Sequence, residues 1–444
     1  MRHNPTKGSR TTRFWLILLT LVAALAMMAL ACGDDEDKDE KETPAPKTTT
    51  AQTPVAGKTA TTGDTLKIGV LFSFTGDLAE FGPNMENGAK LAAKQINDAG
   101  GVLGQDMVLK RADDQTSPSP AVQAARQLVD VEGVQAIVGA LSSGVTLAVA
   151  EAVSIPDGII QISPASTSVA LTALEDKDLV FRTTISDLGQ GPVLAKVANE
   201  LGYKSVSTLY VNNAYGQGLS EAFSAAFEAL GGTVPAQVSQ EQEQTTYLAE
   251  LKKATDGKPD ALAALSYPQS ATVYIKEALE NNLIKTFLFC DGTQSLKIAE
   301  AVGAANVEGM EGTAAGVGDI GADWRAEFEA EYGTLPTLPY ITESYDAVIM
   351  IALGAIKAGS TDPAAIRDAM RTLNDPNGEE IAANAAGIKK AVELIKQGKA
   401  INFQGSSGFS GWDAKGDVSS GYIQVWKYEG GKIVTVRVEK ITLQ

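Results

Sequence analysis

Histidine is almost absent from the 444 residues: the single one, His3, stands ahead of an apolar stretch, so the body of the chain has no imidazole. That excludes Ser-His and Cys-His nucleophilic chemistry, histidine metal sites and histidine pH switching there. Cysteine is nearly as scarce. Cys32 and Cys290 allow at most one disulfide, and Cys32 has another expected use, so the framework is expected to be free of disulfides. Positive charge is also short, 37 Lys and Arg against 54 Asp and Glu, for a net charge of −17. A surface of that sign repels nucleic-acid phosphates and anionic lipid headgroups, so neither is an expected partner. What is present suffices for ordinary cores, at 44% hydrophobic residues, and the length suits two or three domains.

Arg2, Lys7, Arg10 and Arg13 precede an uncharged run from Phe14 to Ala31 that ends Ala29-Leu30-Ala31-Cys32. Basic residues, an apolar segment and small residues before a cut describe an export signal. With a cysteine directly after, the segment resembles a bacterial lipoprotein signal. The resemblance implies cleavage of residues 1–31 and lipid on Cys32, anchoring the chain at the cell surface or in the periplasm. An uncleaved spanning helix is the alternative, and it too leaves the remainder outside the cytoplasm. Residues 34–42 hold seven acids and two lysines, and 43–63 hold eight threonines and three prolines. Such a composition buries too little surface to offset its ordering entropy, so 32–63 is expected to be a solvated tether.

From Asp64 the pattern changes. Leu66 to Phe72, Val134 to Val138, Ile159 to Ile162, Val206 to Val211, Ala261 to Leu265 and Thr286 to Phe289 are short apolar runs bounded by turn residues, as buried strands are. Between them Leu194, Val197, Ala198 and Leu201, and again Val348, Ile351, Ala352 and Ala355, recur at helical spacing. Alternating strands and helices predict an α/β protein with parallel sheets covered on both faces, and a body of this size divides naturally into two such lobes.

Loops at the carboxyl ends of parallel strands carry ligand groups. After Val138 comes Gly139-Ala140-Leu141-Ser142-Ser143-Gly144, opening a predicted helix over Val145 to Val153; hydroxyls and free N–H groups at a helix start suit a carboxylate. Ser163-Pro164-Ala165-Ser166-Thr167-Ser168 is a second hydroxyl-rich, uncharged loop. In the other half, Tyr215 after Val211 and Asp291 after Phe289 offer a phenol and a carboxylate to an ammonium. Singly, these residues read as N-caps and turn formers. Their distribution, anion donors in one half and a cation acceptor in the other, fits a zwitterion held between two lobes.

Lys67-Ile68-Gly69-Val70, Thr75-Gly76-Asp77-Leu78-Ala79-Glu80-Phe81-Gly82, Asn87-Gly88-Ala89-Lys90-Leu91-Ala92 and Ile96-Asn97-Asp98-Ala99-Gly100-Gly101-Val102 resemble the opening of the branched-chain amino-acid binding proteins of ABC importers. Asp113-Asp114, Ile162-Ser163-Pro164-Ala165-Ser166-Thr167, Phe181-Arg182-Thr183, Gln190-Gly191-Pro192, Ala214-Tyr215-Gly216-Gln217-Gly218, Asp291-Gly292 and Tyr345-Asp346-Ala347 continue in family order, over about residues 64–444. The resemblance implies a type I periplasmic-binding-protein fold, two lobes joined by three crossings, with 64–185 plus 316–405 in one and 186–315 plus 406–444 in the other. It implies that Ser143 and Thr167 bind a ligand carboxylate, with backbone at Ser143 and Ala165 and with Ser166 beside them. Asp291 and Tyr215 then face the ammonium, and Phe81, Ser266 and Tyr267 line the side-chain pocket. Some members have a disulfide where this chain has Thr116 and Ser142, so the loop at Thr116 is expected to be unpinned. A shifted aromatic near Ser266 and one extra residue before Asp291 bear on side-chain specificity more than on the amino-acid clamp.

Other signals are discounted. Gly316-Val317-Gly318-Asp319-Ile320-Gly321 matches a dinucleotide fingerprint, but Gly309 to Thr313 before it does not read as a buried strand, and 316–321 is expected to be a loose interlobe crossing. Cys290 is expected to be a buried thiol, Asp113-Asp114 a loop after a strand, and Gly405-Ser406-Ser407-Gly408 lacks nucleophile-elbow spacing. The expectation is a monomeric, non-enzymatic solute-binding lipoprotein, without cofactor or metal, that delivers an amino acid to ABC permease subunits. A binder of an amide, urea or aromatic acid on the same fold, or a sensor, is the alternative.

Overall fold

The computed structural model describes residues 64–318 and 322–443. The signal, the tether and Cys32 lie outside the described residues. Five parallel strands form the first sheet: β1 (Lys67–Phe72), β2 (Val108–Asp113), β3 (Ala136–Gly139), β4 (Ile160–Ser163) and β5 (Val180–Arg182), in the order β2-β1-β3-β4-β5. The second sheet has the order β14-β13-β10-β9-β8-β6-β7, from β6 (Val206–Val211), β7 (Gln237–Gln240), β8 (Ala261–Leu265), β9 (Phe287–Phe289), β10 (Glu311–Gly316), β13 (Ser420–Glu429) and β14 (Lys432–Thr442). A small parallel pair, β11 (Glu379–Ala382) with β12 (Ile401–Gln404), completes the sheets among the described residues. β1, β3 and β4 are buried almost throughout, as expected of parallel strands covered on both faces.

The chain crosses between the two sheets three times: from β5 into helix Asp187–Glu200, from β10 toward helix Ala322–Tyr332, and from β12 into β13. Helix Ile341–Ala358 is buried on all sides from Ile341 to Ile356 and packs on helix Gly82–Asp98. An all-round apolar helix belongs in a core. This one also carries Glu343 and Asp346, and the Asp346 carboxylate and the Glu343 backbone both tie down other segments. Asp346 accepts hydrogen bonds from the backbone N–H groups of Ser406 and Ser407 at 2.8 and 2.9 Å and from their hydroxyls at 3.0 and 2.6 Å. The Glu343 backbone carbonyl accepts from Thr183 Oγ1 at 2.8 Å. One helix thus fastens the first and third crossings. The Gly405-Ser406-Ser407-Gly408 run, which sequence spacing excluded as a nucleophile, is a cradle for the Asp346 carboxylate.

Three expectations are corrected. Residues 311–316 do form a strand, β10, in the interior of the second sheet. Its small side chains hide the apolar signal because they let large neighbours close over them: a Cβ at Gly312 would lie 2.7 Å from both Phe289 Cβ and Trp426 Cζ2. The second sheet is also mixed, since β13 runs antiparallel to β10 and forms a hairpin with β14 through Gly430-Gly431, both at positive φ. And the loop at Thr116 is pinned without a disulfide. Thr116 Oγ1 accepts from the Leu78 N–H at 3.1 Å, while Asp114 Oδ1 accepts from Ser73 Oγ at 2.6 Å and the Thr116 N–H at 2.8 Å.

Gly312→Ala is expected to destabilise the chain by about 1 to 3 kcal/mol, the usual range for overpacking a tight core. A urea midpoint equal to wild type would show that Phe289 and Trp426 can yield.

Candidate functional site

The carboxyl ends of the two sheets face each other across a narrow cavity with about 20 Å³ of enclosed space, room for about one water molecule. From the first-sheet side come Leu78, Phe81, Leu141, Ser143 and Ala165; from the second come Tyr215, Tyr267, Asp291 and Gly292; Tyr340 enters from the segment that leads into helix Ile341–Ala358. The sides touch directly. Tyr267 O–H donates to Ser142 Oγ at 2.9 Å, and Ser168 Oγ donates to the Ala214 carbonyl at 2.7 Å. The structure is therefore the closed form.

Asp291 sits in the 3-10 turn after β9, and every oxygen is engaged by the protein. Gln190 Nε2 and the Tyr215 hydroxyl donate to Oδ1 at 2.6 and 2.8 Å, and the Tyr340 hydroxyl donates to Oδ2 at 2.5 Å. Burial raises its pKa above the usual carboxylate range, although these three hydrogen bonds pull the other way. Burial and the Asp291 charge hold the Tyr215 and Tyr340 phenols protonated, well above their ordinary value. The Tyr215 and Tyr267 rings stack with centroids 5.6 Å apart. Gly292 lets them close in: a Cβ there would fall 2.3 Å from the Ser266 carbonyl oxygen and 3.0 Å from the Tyr215 hydroxyl.

Behind Asp291 is a second carboxylate. Asp187, at the start of helix Asp187–Glu200, is fully buried, and neither oxygen has a hydrogen-bond partner. Its pKa is raised well above normal, first by burial and then by Asp291, with Thr167 and Arg182 opposing. The Thr167 hydroxyl beside it is buried and likewise lacks a partner in hydrogen-bonding geometry. Thr167 is the hydroxyl placed to donate to Asp187, and that interaction opposes the rise in the acid's pKa.

The first-sheet loops are held from behind. Arg182, 1% exposed, donates from Nη1 to the Thr167 and Ser168 carbonyls, both at 2.9 Å, and pairs through Nε with Asp417 at 2.8 Å. Ser163 Oγ donates to the Ala140 carbonyl at 2.6 Å and accepts from the Ser166 N–H at 3.0 Å. Ser143 begins the helix Ser143–Val149, and its hydroxyl accepts from the Ser168 N–H at 3.3 Å.

A family model described as periplasmic binding protein matches residues 65–406. The chain belongs to this family. Among relatives, it is 29% identical over 384 residues to the Leu/Ile/Val-binding protein homolog 3 of Brucella melitensis, covering 83% of this chain and 93% of that one. It is 27% identical to a chemotactic signal transduction system substrate-binding protein of Halobacterium salinarum, over 83% of this chain and 87% of that one. Among solved structures, a leucine-binding protein of Thermotoga maritima superimposes with a TM-score of 0.70 at 25% identity, covering 84% of this chain and 98% of the other.

Of the ligand residues expected from the sequence, this periplasmic binding protein brings Phe81, Ser143, Ala165, Tyr215, Tyr267 and Asp291 to one cavity. Ser166, Thr167 and Ser266 are not in its lining. The Ser166 hydroxyl is 2.7 Å from Thr146 Oγ1, and that of Ser266 is 2.7 Å from the Tyr274 hydroxyl, so both serve the scaffold. Sequence reasoning missed Tyr340, Asp187, Gln190 and Arg182. Gln190 and Arg182 lie in motifs already singled out, but Tyr340 has only a faint signal, an aromatic after Leu338-Pro339 at a helix start. Its backbone is left-handed, φ 74°, where a bulky side chain is strained, and such strain concentrates at functional positions.

Burial leaves several acids reluctant to ionise. It pushes Asp114 and Asp346 up to about 6 and Glu343 up to about 8. In the unfolded chain such groups ionise near pH 4. Between about pH 4 and 8 the native state therefore holds more protons than the unfolded state, and stability falls as pH rises. Asp113, Glu132 and Glu439, whose pKa values are lowered, act in the opposite sense only below about pH 4.5. The urea midpoint is thus expected to be higher at about pH 5 than at about pH 8; the reverse order would show that these acids are not protonated in the fold.

Proposed function

We propose that the chain captures an α-amino acid, branched-chain or similar in side chain, between two lobes, 64–185 plus 316–405 and 186–315 plus 406–444, and delivers it to the permease of an ABC importer. One observation carries the reading: a cavity between the sheets with a hydroxyl and helix start at Ser143 on one side and, on the other, the Asp291 carboxylate, held by neutral donors alone. A ligand carboxylate suits the first and an ammonium the second. Leu78, Phe81 and Leu141 offer an apolar wall to the side chain. The three expected residues outside the lining enter differently: Thr167 through its hydroxyl beside Asp187, and Ser166 and Ser266 by holding their loops.

Closure desolvates both ends of the ligand, and each charge-assisted hydrogen bond then contributes on the order of 1.5 to 3 kcal/mol. The chain does not turn its ligand over in this reading. The body has no histidine, and burial pushes the Cys290 thiol up to about 12, far from a nucleophilic thiolate. The protein acts as a monomer outside the cytoplasm, tethered by lipid on Cys32. The relationship to a chemotactic substrate-binding protein supports a second reading, in which the same site feeds a receptor.

Titration calorimetry of the full chain with L-leucine, L-isoleucine and L-valine tests the site. Asp291→Ala and Tyr215→Ala are each expected to weaken binding at least about tenfold while the fold persists, from the loss of one charge-assisted bond. Unchanged affinity rejects the ammonium site. Absence of a thermal shift with every amino acid tried, set beside a shift with an uncharged amide, urea or an aromatic acid, would replace the ligand class.

A further inference from the structure

The loop between β1 and helix Gly82–Asp98 carries two acids, Asp77 and Glu80, that are not among the cavity's lining residues. Both reach the second-sheet side. Asp77 Oδ2 accepts from Ser270 Oγ at 2.9 Å, and Glu80 Oε2 accepts from Ser295 Oγ at 2.6 Å. Ser270 lies in the first turn of helix Pro268–Glu280, just past Tyr267, and Ser295 caps helix Leu296–Val302, just past Asp291. Each bond therefore sits one step outside a residue that lines the cavity.

The loop cannot carry the acids away while the cleft stays shut. Asp113 Oδ1 accepts from the N–H groups of Phe74 and Thr75 at 2.9 and 3.2 Å, and Thr116 holds the Leu78 N–H. Asp77 is 3% exposed, and its Oδ1 has no hydrogen-bond partner. That burial involves the second-sheet side, because Ser270 is its hydrogen-bonding neighbour there and Glu243 acts on it electrostatically. Parting the sheets breaks both acid–serine bonds at once.

We propose that Asp77 and Glu80 form a two-point latch that sets the lifetime of the closed form, governing ligand release without touching the ligand. The latch rests on the lobe-closure reading above. It belongs to this chain's own loop chemistry, and it makes release depend on groups that leave the ligand's chemical selectivity unaltered. Opening must break both bonds before the ligand escapes, whereas the encounter with ligand precedes their formation. The effect therefore falls on dissociation more than on association.

Stopped-flow measurement on the full chain, with L-leucine as the probe, reads both rates. Asp77→Ala with Glu80→Ala is expected to raise the dissociation rate at least about tenfold and to change the association rate little. Ser270→Ala should reproduce Asp77→Ala, and the two together should do no more than either alone. Asp77→Asn and Glu80→Gln keep an acceptor oxygen and should restore much of the slow release, which a merely destabilised fold would not do. Dissociation rates within about twofold of wild type in the double alanine variant, well inside the effect of one lost hydrogen bond, overturn the latch. Should wild type bind no amino acid, the ligand reading fails by itself. Small-angle scattering of the ligand-free chains then decides: a larger radius of gyration in Asp77→Ala/Glu80→Ala than in wild type upholds the latch, and equal radii overturn it.

Discussion

Everything at the cleft depends on a carboxylate that the protein buries without giving it a cation. No lysine or arginine among the described residues forms an ion pair with Asp291; its partners are an amide and two phenols, all neutral donors. Neutral donors spread the charge but do not cancel it, and desolvation still raises the pKa. Burial and the Asp291 charge favour the protonated form of Asp187 behind it. Arg182, the nearby cation, is engaged by Asp417 and the loop carbonyls. In the proposed reading an ammonium from the ligand supplies the charge that these neutral donors lack, which couples ligand binding to closure.

The same logic explains why the surrounding framework is so heavily tied. A site that asks two separate sheets to meet within hydrogen-bonding distance needs crossings that bend in one way only. Asp346 fixes the third crossing through four hydrogen bonds, and the Glu343 carbonyl fixes the first through Thr183. Arg182 then transmits that order to the loop at Thr167 and Ser168. These are buried charges and dipoles used for geometry, and removing one partner would leave the other desolvated and unpaired.

Much of the framework was legible in the residues. The strands at Val206, Ala261 and Ile160 announced themselves because a parallel strand covered on both faces is a continuous apolar run. β10 did not, because its Gly-Thr-Ala-Ala-Gly signature is the imprint of Phe289 and Trp426, residues far away in sequence that fill the space its side chains leave. The site divided in the same way. Tyr215 and Asp291 follow strands in sequence and could be placed by topology alone. The hydroxyl-rich loops were harder to assign, since a serine reads the same whether it faces a ligand or its own loop; Ser166 and Ser266 turn to Thr146 and Tyr274. Tyr340 could not be found from local pattern, because its value lies in reaching Asp291 from a different crossing, and the family resemblance in the motifs does not encode that contact.

The cross-cleft hydrogen bonds impose a limit on how well such a protein can work. Bonds between the two sides, such as Tyr267 to Ser142, stabilise the closed form whether or not ligand is present, so they raise apparent affinity by lessening the conformational penalty on binding. Carried too far they would close the cleft empty, and a permease that recognises the closed form would then meet unloaded protein. A ligand shifts the balance only by its differential affinity for the two forms. The strength of the rim contacts is therefore bounded by the need for an open form, and in the proposed reading the ligand supplies the rest of the closing free energy.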